Sequence, residues 1–433
     1  MKKILKDLIK DKRILILGYG REGRSSLELI KNIGGYKALG VSDLKDVSKD
    51  LPEGTEGFFG ESYQEAIDDF DVVFKSPGIV LERPVSEYKS LITSETEVFM
   101  QAYKDRVIGI TGTKGKSTTS SLMYHVLKSA GLNVLFGGNI GIPVFDLSDS
   151  VKEDTVIVLE LSCHQLEYLK TSPKRAVLLN IYEDHLDHYG TRERYAEAKK
   201  NIFSHQDPGD VLYTTEETFE KENLCKLLRS KLVKISLSDA PFKDFDEIPG
   251  AKLMGAHNVL NCAFVYRIAT ELGVDRDTFL KALGTFEPLP HRLEKFASFE
   301  GRDFYDDSIS TTTESAINAV KSVGNAGILL LGGMERNLDY SDLIRFLHAS
   351  DLDHVVCMYK AGERIYDLYV KEPGGPEAVL VKDLTEAVSF AVSNLRPGKA
   401  CILSPAAASY GYFKNFEERG ERFKTLVSEM IKK

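Results

Sequence analysis

Short apolar runs that alternate with longer amphipathic stretches are the feature that most constrains the fold of this chain. The runs are closed by Gly, Ser or Asp, which is typical of parallel strands joined by crossover helices. The sequence therefore predicts an α/β fold. The candidate strands are "RILILG" (13–18), "KALGVSD" (37–43), "DVVFKSPG" (71–78), "VIGITG" (107–112), "TVIVLEL" (155–161), "AVLLNI" (176–181), "GILLLGG" (327–333), "HVVCMY" (354–359) and "ACILSP" (400–405).

The length of the chain predicts more than one domain. A chain of 433 residues is longer than one hydrophobic core normally supports. Two segments have the character of boundaries: residues 103–105, where a polar helix end precedes a new strand, and 286–296, which carries prolines. We therefore expect three α/β domains, at 1–104, 105–294 and 295–433.

Charge, cysteine content and hydropathy argue against several classes of protein. The formal net charge of -9 does not supply the basic surface that a general nucleic-acid-binding protein needs. The five cysteines are odd in number and form no C-x-x-C pair, which argues against a disulfide framework or a zinc knuckle. The sequence contains no signal peptide pattern and no apolar run long enough to cross a bilayer. We expect a cytoplasmic protein without a membrane span.

A glycine fingerprint, "GYGREG" at 18–23, follows the first candidate strand, and we call it the first cradle. Gly18, Gly20 and Gly23 have the spacing of a dinucleotide-binding turn, and Asp43 ends the next strand about 20 residues later. Glycine suits this position because the backbone turns tightly and approaches a pyrophosphate at the positive end of a helix. The spacing does not distinguish NAD or FAD from a sugar nucleotide, and a structural turn is a further alternative.

A second glycine-rich stretch, "GTKGKST" at 112–118, also lies between a strand and a helix, and we call it the second cradle. It departs from the strict Walker spacing, since Ile110 lies five residues before Gly115. The functional parts are still present. Lys116 supplies positive charge for terminal phosphates, and the Ser117 hydroxyl is a ligand for magnesium. This stretch predicts an ATP site.

Acidic residues end the strands that flank the second cradle. Glu160 ends an apolar strand, where a buried carboxylate is costly unless it meets a metal or a cation, although a strand-end Glu also commonly reaches solvent. The histidines of the next segment suggest zinc, but no third ligand has a matching spacing, so magnesium is favoured. The polar residues of that segment are Glu183, Asp184, His185, Asp187 and His188.

Lys199 lies on the apolar stripe of the helix "RYAEAKKNIF". It shares the spacing i, i+3, i+4 and i+7 with Tyr195, Ala198 and Ile202, whereas Lys200 points away. A buried lysine loses its proton more easily than an exposed one. The neutral amine would serve as a base or react with carbon dioxide. A lysine that only extends its charge to solvent is the third interpretation.

The following motifs occur in this order along the chain: "GTKGKSTT" (112–119), "GGNIG" (137–141), "ELSCHQLE" (160–167), "YEDHLDHYG" (182–190), "GAHNVLN" (255–261), "LPHRLE" (289–294), "DDSISTTTES" (306–315) and "LSPAAASYGYFKNFEERGERF" (403–423). In this order they resemble the motifs of the Mur ligases, the ATP-dependent amide-forming enzymes of peptidoglycan precursor synthesis. The resemblance runs along essentially the whole chain. It implies a Rossmann-like UDP-binding domain, a central P-loop ATPase-type domain and a C-terminal Rossmann-like domain.

The resemblance implies that the two cradles bind different ligands. The first would hold the diphosphate of a UDP-sugar, and the second would hold ATP. Within the family, the glycine-rich first domain and the C-terminal segment favour D-glutamate addition to UDP-N-acetylmuramoyl-L-alanine through an acyl phosphate. The implied cofactors are ATP, Mg²⁺ at two sites and a carbamylated Lys199. We also expect a monomer.

The same resemblance assigns the site residues. The implied catalytic residues are Lys116, His185 and Lys199, and the implied metal ligands are Ser117, Glu160, His185 and Lys199. The implied ATP contacts are Gly112, Thr113, Lys114, Gly115, Lys116, Ser117, Thr118, Asn258, Asn261, Arg292 and Asp307. The implied substrate contacts are Gly18, Gly20, Arg21, Glu22, Asp43, Ser76, Pro77, Gly78, Asn139, Ser162, Thr311, Arg336, Ser409 and Phe416.

Several alternatives stay open at this stage. In the alternative interpretation, Ser76 only caps a turn and Arg336 is an ordinary surface arginine. Ile309 stands where many relatives have a lysine beside the amino-acid pocket. Another Mur-type ligase with a different acceptor or amino acid is the nearest alternative. An NAD-dependent oxidoreductase and a noncatalytic nucleotide-binding regulator are the others.

Overall fold

The structure is a computed structural model that describes residues 1–182, 184 and 186–432. The chain forms two compact units. The N-terminal unit consists of Met1–Ala251 and His257–Phe286, and the C-terminal unit consists of Lys252–Ala256 and the chain from Glu287 onward. Each unit is described separately below.

The N-terminal unit contains two parallel sheets. The strands of the first sheet are β1 (Arg13–Leu17), β2 (Ala38–Asp43), β3 (Glu56–Phe59), β4 (Val72–Lys75) and β5 (Leu91–Thr93). The strands of the second sheet are β6 (Val107–Thr111), β7 (Val134–Gly138), β8 (Val156–Glu160), β9 (Arg175–Leu178), β10 (Val211–Thr214) and β11 (Lys231–Lys234). Their orders are β3-β2-β1-β4-β5 and β11-β10-β9-β6-β8-β7. Loops that follow parallel strands meet at one sheet edge, which is where such folds bind ligands.

Helices connect and cover these strands. They are α1 (Lys2–Ile9), α2 (Arg21–Ile33), α3 (Glu95–Tyr103), α4 (Lys116–Ser129), α5 (Val144–Leu147), α6 (Cys163–Leu166), α7 (Leu186–Tyr189), α8 (Arg192–Lys200), α9 (Glu216–Lys221), α10 (Ala256–Glu271) and α11 (Arg276–Gly284). Side-chain caps set several of the starts. Ser94, Thr191 and Asp275 each accept a hydrogen bond from a backbone N–H of the first turn that follows.

The C-terminal unit contains one mixed sheet. Its strands are β12 (Glu294–Phe299), β13 (Arg302–Asp306), β14 (Ala326–Gly332), β15 (His354–Met358), β16 (Glu377–Val381) and β17 (Ala400–Leu403), in the order β12-β13-β17-β14-β15-β16. The β12–β13 pair is antiparallel, and the other pairs are parallel. Its helices are α12 (Thr313–Val323), α13 (Ser341–His348), α14 (Tyr359–Tyr369), α15 (Leu384–Asn394) and α16 (Phe416–Met430).

Apolar packing on both faces of the sheets explains the long apolar runs of the sequence. In β1, Ile14 and Ile16 pack in one core cluster, and Leu15 and Leu17 pack in another on the opposite face. Strand β14 is buried along its whole length. Strands covered on both faces are apolar throughout rather than alternating. None of the helices that the structure describes is long and apolar enough to cross a membrane.

The nine strands predicted from the sequence are all present, so the predicted α/β fold is confirmed. The sequence did not predict eight further strands that the structure shows among its described residues, and their positions explain why. Six of them are the edge strands of the three sheets, and the other two, β10 and β13, lie next to an edge. An edge strand needs fewer apolar residues, as in the sequence "KLVK" of β11, whose two lysines are exposed.

Candidate functional site

The first cradle is a close contact between two backbone segments. Gly18 has a φ of +90°, and a Cβ atom at Gly23 would lie only 2.0 Å from the carbonyl oxygen of Gly18. Helix α2 begins directly afterwards, at Arg21. The Ser76 hydroxyl donates a hydrogen bond of 2.7 Å to the same carbonyl, so Ser76 closes the turn from the neighbouring strand. The geometry therefore requires glycine at positions 18 and 23.

One cleft of about 370 Å³ opens at this edge of the first sheet. All eight substrate residues that were predicted on the first sheet line it, together with Ile79: Gly18, Gly20, Arg21, Glu22, Asp43, Ser76, Pro77 and Gly78. The cleft includes the first turn of α2, where free backbone amides and the helix dipole favour an anion. Asp43 is held in place because its carboxylate accepts hydrogen bonds from the backbone N–H groups of Tyr19 and Lys45.

Glu22, which lines this cleft, and Lys75, which directly precedes the lining residue Ser76, both carry charged groups that are largely buried. The carboxyl of Glu22 accepts a hydrogen bond of 2.7 Å from the Gln165 side chain, and burial raises its pKa to about 7. Lys75 Nζ donates to the carbonyl oxygens of Ser76 and Pro77, each at 3.3 Å, and burial lowers its pKa to about 8. Lys75 and Gln165 were not predicted as site residues from the sequence, although a lysine at the end of an apolar strand indicates a buried charge.

The second cradle is shaped by an asparagine that the sequence analysis did not single out. The Asn180 side-chain oxygen accepts hydrogen bonds from the backbone N–H groups of Thr113 and Lys114, at 3.0 and 2.9 Å. Its amide nitrogen donates to the Lys114 carbonyl at 3.1 Å. Lys116 Nζ lies over the loop and donates to the carbonyl oxygens of Gly112 and Thr113. The loop is therefore held in one conformation, with a lysine above it.

Two predicted asparagines lie next to this loop on α10. Asn258 and Asn261 are buried, and the Asn261 side-chain amide donates to the Asn258 side-chain oxygen at 3.1 Å. Gly115 has a φ of +85°, and a Cβ atom there would lie 2.8 Å from the Asn261 oxygen. The structure thus brings these two asparagines to the second cradle, while their contact with a nucleotide stays a prediction.

Glu160 is fully buried, so it does not reach solvent at the end of its strand. One carboxylate oxygen accepts a hydrogen bond of 2.6 Å from the Asn139 side chain, and the other lies 3.4 Å from the Ser120 hydroxyl. Ser120 is on α4, three residues after the buried Ser117. A carboxylate and a hydroxyl oxygen are donors that suit Mg²⁺. The donor set of this region therefore fits the predicted metal.

Lys199 is buried, as its position on the apolar stripe predicts, with 1% of its surface exposed. Its Nζ atom donates to the Gly112 carbonyl at 2.8 Å and lies 4.8 Å from the centre of the Tyr195 ring. Burial, and then the positive charge of Lys116, lower its pKa to about 7. Lys200 points elsewhere and donates to the Glu222 carbonyl. An amine that titrates near neutrality thus contacts the second cradle directly.

Two predicted residues of the acidic segment, Glu183 and His185, lie outside the described residues. His188 lies 3.3 Å from a carboxylate oxygen of Glu167, and its ring packs edge-on against the His164 ring at 4.4 Å. His164 therefore has a packing role beside His188. Ser162 caps α6 in a reciprocal pair of hydrogen bonds with Gln165.

The C-terminal unit holds the other predicted residues. Asp307 is buried and accepts hydrogen bonds from the Leu293 backbone N–H at 3.1 Å and the Ser404 hydroxyl at 2.7 Å. Burial raises the pKa of Asp307 to about 6. Arg292 belongs to this unit too, as do the residues predicted for the amino acid: Thr311, Arg336, Ser409 and Phe416. Ser409 is buried and Arg336 is exposed, so the structure leaves the role of Arg336 a prediction.

A buried arginine ties together two predicted segments of this unit. Arg419 has no exposed surface, and its guanidinium donates to the Ser308 hydroxyl, the Ser308 carbonyl and the Ala407 carbonyl at 3.0, 2.7 and 3.0 Å. It thereby joins the "DDSIS" and "SPAAAS" segments. One sequence feature indicates the burial of Arg419: it has helical spacing with Phe423 and Leu426, which lie on the buried stripe of α16.

Comparison with known proteins gives one consistent family. The Mur ligase middle domain matches residues 110–247. The chain is 30% identical to the UDP-N-acetylmuramoylalanine--D-glutamate ligase of Listeria innocua, over 100% of this chain and 99% of that protein. It is 29% identical to the protein of the same name from Clostridium tetani, over 98% of each chain. The MurF ligase from Thermotoga maritima, in complex with ADP, shares the fold with a TM-score of 0.63 at 18% identity, over 100% of this chain and 99% of that one.

Proposed function

Since this chain belongs to the Mur ligase family, we propose that it joins D-glutamate to UDP-N-acetylmuramoyl-L-alanine at the expense of ATP. The observation that carries the proposal is the presence of two distinct glycine cradles in one unit, of which, among the residues that the structure describes, only the second has a lysine over its loop. An NAD-dependent oxidoreductase would use the first cradle and leave the second without a role. The names of the full-length relatives support the choice of substrates.

The proposed reaction begins with activation of the alanyl carboxylate, because an amine does not attack a carboxylate anion. The γ-phosphoryl group of ATP passes to an oxygen of the alanyl carboxylate, and ADP leaves. The amine of D-glutamate then attacks the carbonyl carbon, loses a proton, and displaces phosphate. Lys116 would stabilise negative charge on the transferred group, and Asn180 would hold the shape of the loop around the phosphates through its hydrogen bonds to Thr113 and Lys114.

We propose that Ser117 and Glu160 hold one Mg²⁺ ion, and that His185 and a carbamylated Lys199 contribute to a second site. The buried carboxylate of Glu160 beside α4 supports the first assignment. Bound Mg²⁺ would neutralise part of the charge of the phosphate oxygens. The second assignment rests on the family resemblance and on the environment of Lys199.

Carbamylation of Lys199 requires a neutral amine. The amine nitrogen forms a bond to the carbon of CO₂ and releases one proton, which leaves an anionic carbamate. Burial lowers the pKa of Lys199 to about 7, so the neutral amine predominates above that pH. An anion at this position would also lie near Lys116, whose positive charge favours it.

The remaining assignments also stay proposals. Residues 1–104 would bind the UDP-sugar, 105–294 would bind ATP, and 295–433 would bind D-glutamate. In the last segment Thr311, Arg336, Ser409 and Phe416 would contact the amino acid, with Arg292 and Asp307 contacting ATP. We propose a cytoplasmic monomer, because one chain supplies every proposed site residue; sedimentation equilibrium would test the monomer.

The proposed function is tested by phosphate release from Mg-ATP in the presence of UDP-N-acetylmuramoyl-L-alanine. Parallel reactions contain D-glutamate, L-glutamate, L-alanine or no amino acid. The proposal expects release that requires both D-glutamate and the UDP-sugar. Release with a different amino acid would indicate another Mur-type ligase, and the absence of release with every amino acid would contradict the ligase assignment.

A further inference from the structure

Arg21 connects the first cradle to the second sheet. It is the first residue of α2 and lines the cleft of the first sheet, but its guanidinium reaches the loop after β7. Nη1 donates to the Gly141 carbonyl at 3.1 Å, and Nη2 donates to the Asn139 carbonyl at 2.9 Å and lies 3.4 Å from the Gly138 carbonyl. We call residues 138–141 the bridging turn. One side chain of the first cradle therefore holds three carbonyl groups of this turn.

The bridging turn is held from its other side by Glu160. The Asn139 backbone N–H donates to the Glu160 carbonyl at 2.8 Å, and the Asn139 side chain donates to the Glu160 carboxylate at 2.6 Å. Gly138 has a φ of +98°, and a Cβ atom there would lie 2.3 Å from the Glu160 carbonyl oxygen. Because the two backbones are this close, the bridging turn and the end of β8 must move together.

Glu160 also contacts α4, the helix whose first residues belong to the second cradle. Its second carboxylate oxygen lies 3.4 Å from the Ser120 hydroxyl on α4, whose first residue is Lys116. The contacts thus run without a gap from the first turn of α2, through the bridging turn and Glu160, to the first turns of α4. Both ends of this series are turns that we assign to phosphate-bearing ligands.

We propose that Arg21 is a positioning residue that couples the two cradles, so that the UDP-sugar in the first cradle strengthens nucleotide binding in the second. The inference rests on the proposed function for the identity of the two ligands. A ligand that orders the first turn of α2 also fixes Arg21, and Arg21 fixes the bridging turn against Glu160. By thermodynamic reciprocity, nucleotide must strengthen UDP-sugar binding by the same factor.

Arginine suits this role better than lysine. Its planar guanidinium presents several N–H donors in fixed directions, which matches carbonyl groups from different residues of one turn. Arg21 is also exposed, so substitution removes these hydrogen bonds without opening the core. The Gln165 side chain also donates a hydrogen bond to the Glu22 carboxylate, and this contact between α2 and α6 does not use the Arg21 side chain as a partner.

The test measures the affinity for adenylyl imidodiphosphate with Mg²⁺ by calorimetry, without and with saturating UDP-N-acetylmuramoyl-L-alanine. We expect the UDP-sugar to tighten nucleotide binding by about tenfold in the unsubstituted protein. In Arg21→Met, with the UDP-sugar raised until its own binding is saturated, the ratio of the nucleotide affinities with and without UDP-sugar should fall to about one, and the affinity for the analogue alone should be unchanged. Arg21→Lys should give an intermediate ratio. Lys31→Met, which removes an exposed cation from the last turn of α2, should keep the full ratio.

The possible outcomes separate the inference from the proposed function. The inference is overturned, and the proposed function stands, in either of two cases. In the first, the unsubstituted protein binds both ligands but the UDP-sugar does not change the nucleotide affinity. In the second, Arg21→Met keeps the full ratio of nucleotide affinities with and without UDP-sugar. If UDP-N-acetylmuramoyl-L-alanine does not bind to the unsubstituted protein, with or without the nucleotide analogue, the inference and the proposed function both fail. Arg21→Gln gives the same comparison if Arg21→Met does not fold.

Discussion

The two cradles have the same construction and different surroundings. Each is a glycine turn between a buried parallel strand and a helix, with a glycine at positive φ. Among the described residues that line the first cleft, Arg21 is the one cation, and its guanidinium is bonded to carbonyl groups of the bridging turn. At the second cradle, Lys116 and Lys199 both donate to the Gly112 carbonyl.

This difference suits the first cradle to binding alone and the second cradle to phosphoryl transfer. A glycine turn at a helix start supplies backbone amides, which is enough to hold a diphosphate that does not react. Phosphoryl transfer also needs positive charge at the terminal phosphate and ligands for a metal ion. The second cradle has Lys116 and the buried Glu160, whereas beside the first cradle lie the buried Lys75 and the carboxyl of Glu22, one oxygen of which is buried. The predictions below test this separation.

Removal of Lys116 should have the largest effect. Lys116→Met takes away the ammonium group over the second cradle, so we expect kcat to fall by about 10³-fold or more. The affinity for UDP-N-acetylmuramoyl-L-alanine, measured without nucleotide, should stay within about twofold, because Lys116 is not among the described residues that line the first cleft. Lys128→Met, at the exposed end of the same helix, is the matched control. An equal loss of UDP-sugar affinity in Lys116→Met would contradict the separation.

A methyl group at Gly23 should damage only the first cradle. Its Cβ atom would lie 2.0 Å from the Gly18 carbonyl oxygen, so the turn must open. We expect Gly23→Ala to weaken UDP-sugar binding by about a hundredfold, since displacement of binding groups by an ångström has effects of this size. ADP binding should be retained, which also shows that the protein is folded. Gly209→Ala, where the added atom meets nothing within 4 Å, is the control.

The Asn180 side chain should contribute about tenfold to nucleotide affinity, because it holds the loop through the backbone N–H groups of Thr113 and Lys114. Asn180→Ala is compared with Asn133→Ala, which removes another asparagine of the same sheet that bonds to Asp154 and Thr155. Fluorescence titration with a labelled ADP measures both. Equal affinities for the two variants would show that the loop keeps its shape without Asn180.

The smallest expected effect is a pH dependence at Lys199. Burial lowers the pKa of its amine from 10.5 to about 7, so the amine loses its proton as the pH rises through 7. With ¹³C-bicarbonate, a carbamate NMR signal should therefore be weak at pH 6 and grow by a few-fold toward pH 8. Lys199→Arg should remove the signal, and Lys200→Arg should keep it. A signal that persists in Lys199→Arg would assign the carbamate to another amine.

Local patterns predicted much of this arrangement. The glycine spacing marked both cradles, and the apolar stripe of α8 predicted the burial of Lys199, because each depends on a few neighbouring residues. Asn180 and Arg419 were missed because their importance arises from contacts with residues distant in the sequence, such as Lys114 and Ser308. The edge strands were missed for a similar reason, since pairing with a neighbour defines them more than their own sequence does.

We propose that the two cradles hold two different ligands at the same time. Native mass spectrometry of the protein with UDP-N-acetylmuramoyl-L-alanine, adenylyl imidodiphosphate and Mg²⁺ tests this most directly. We expect a complex that carries one molecule of each ligand, with the UDP-sugar lost selectively in Gly23→Ala. Displacement of one ligand by the other would mean that they compete for a single site, and would contradict the division of labour between the cradles.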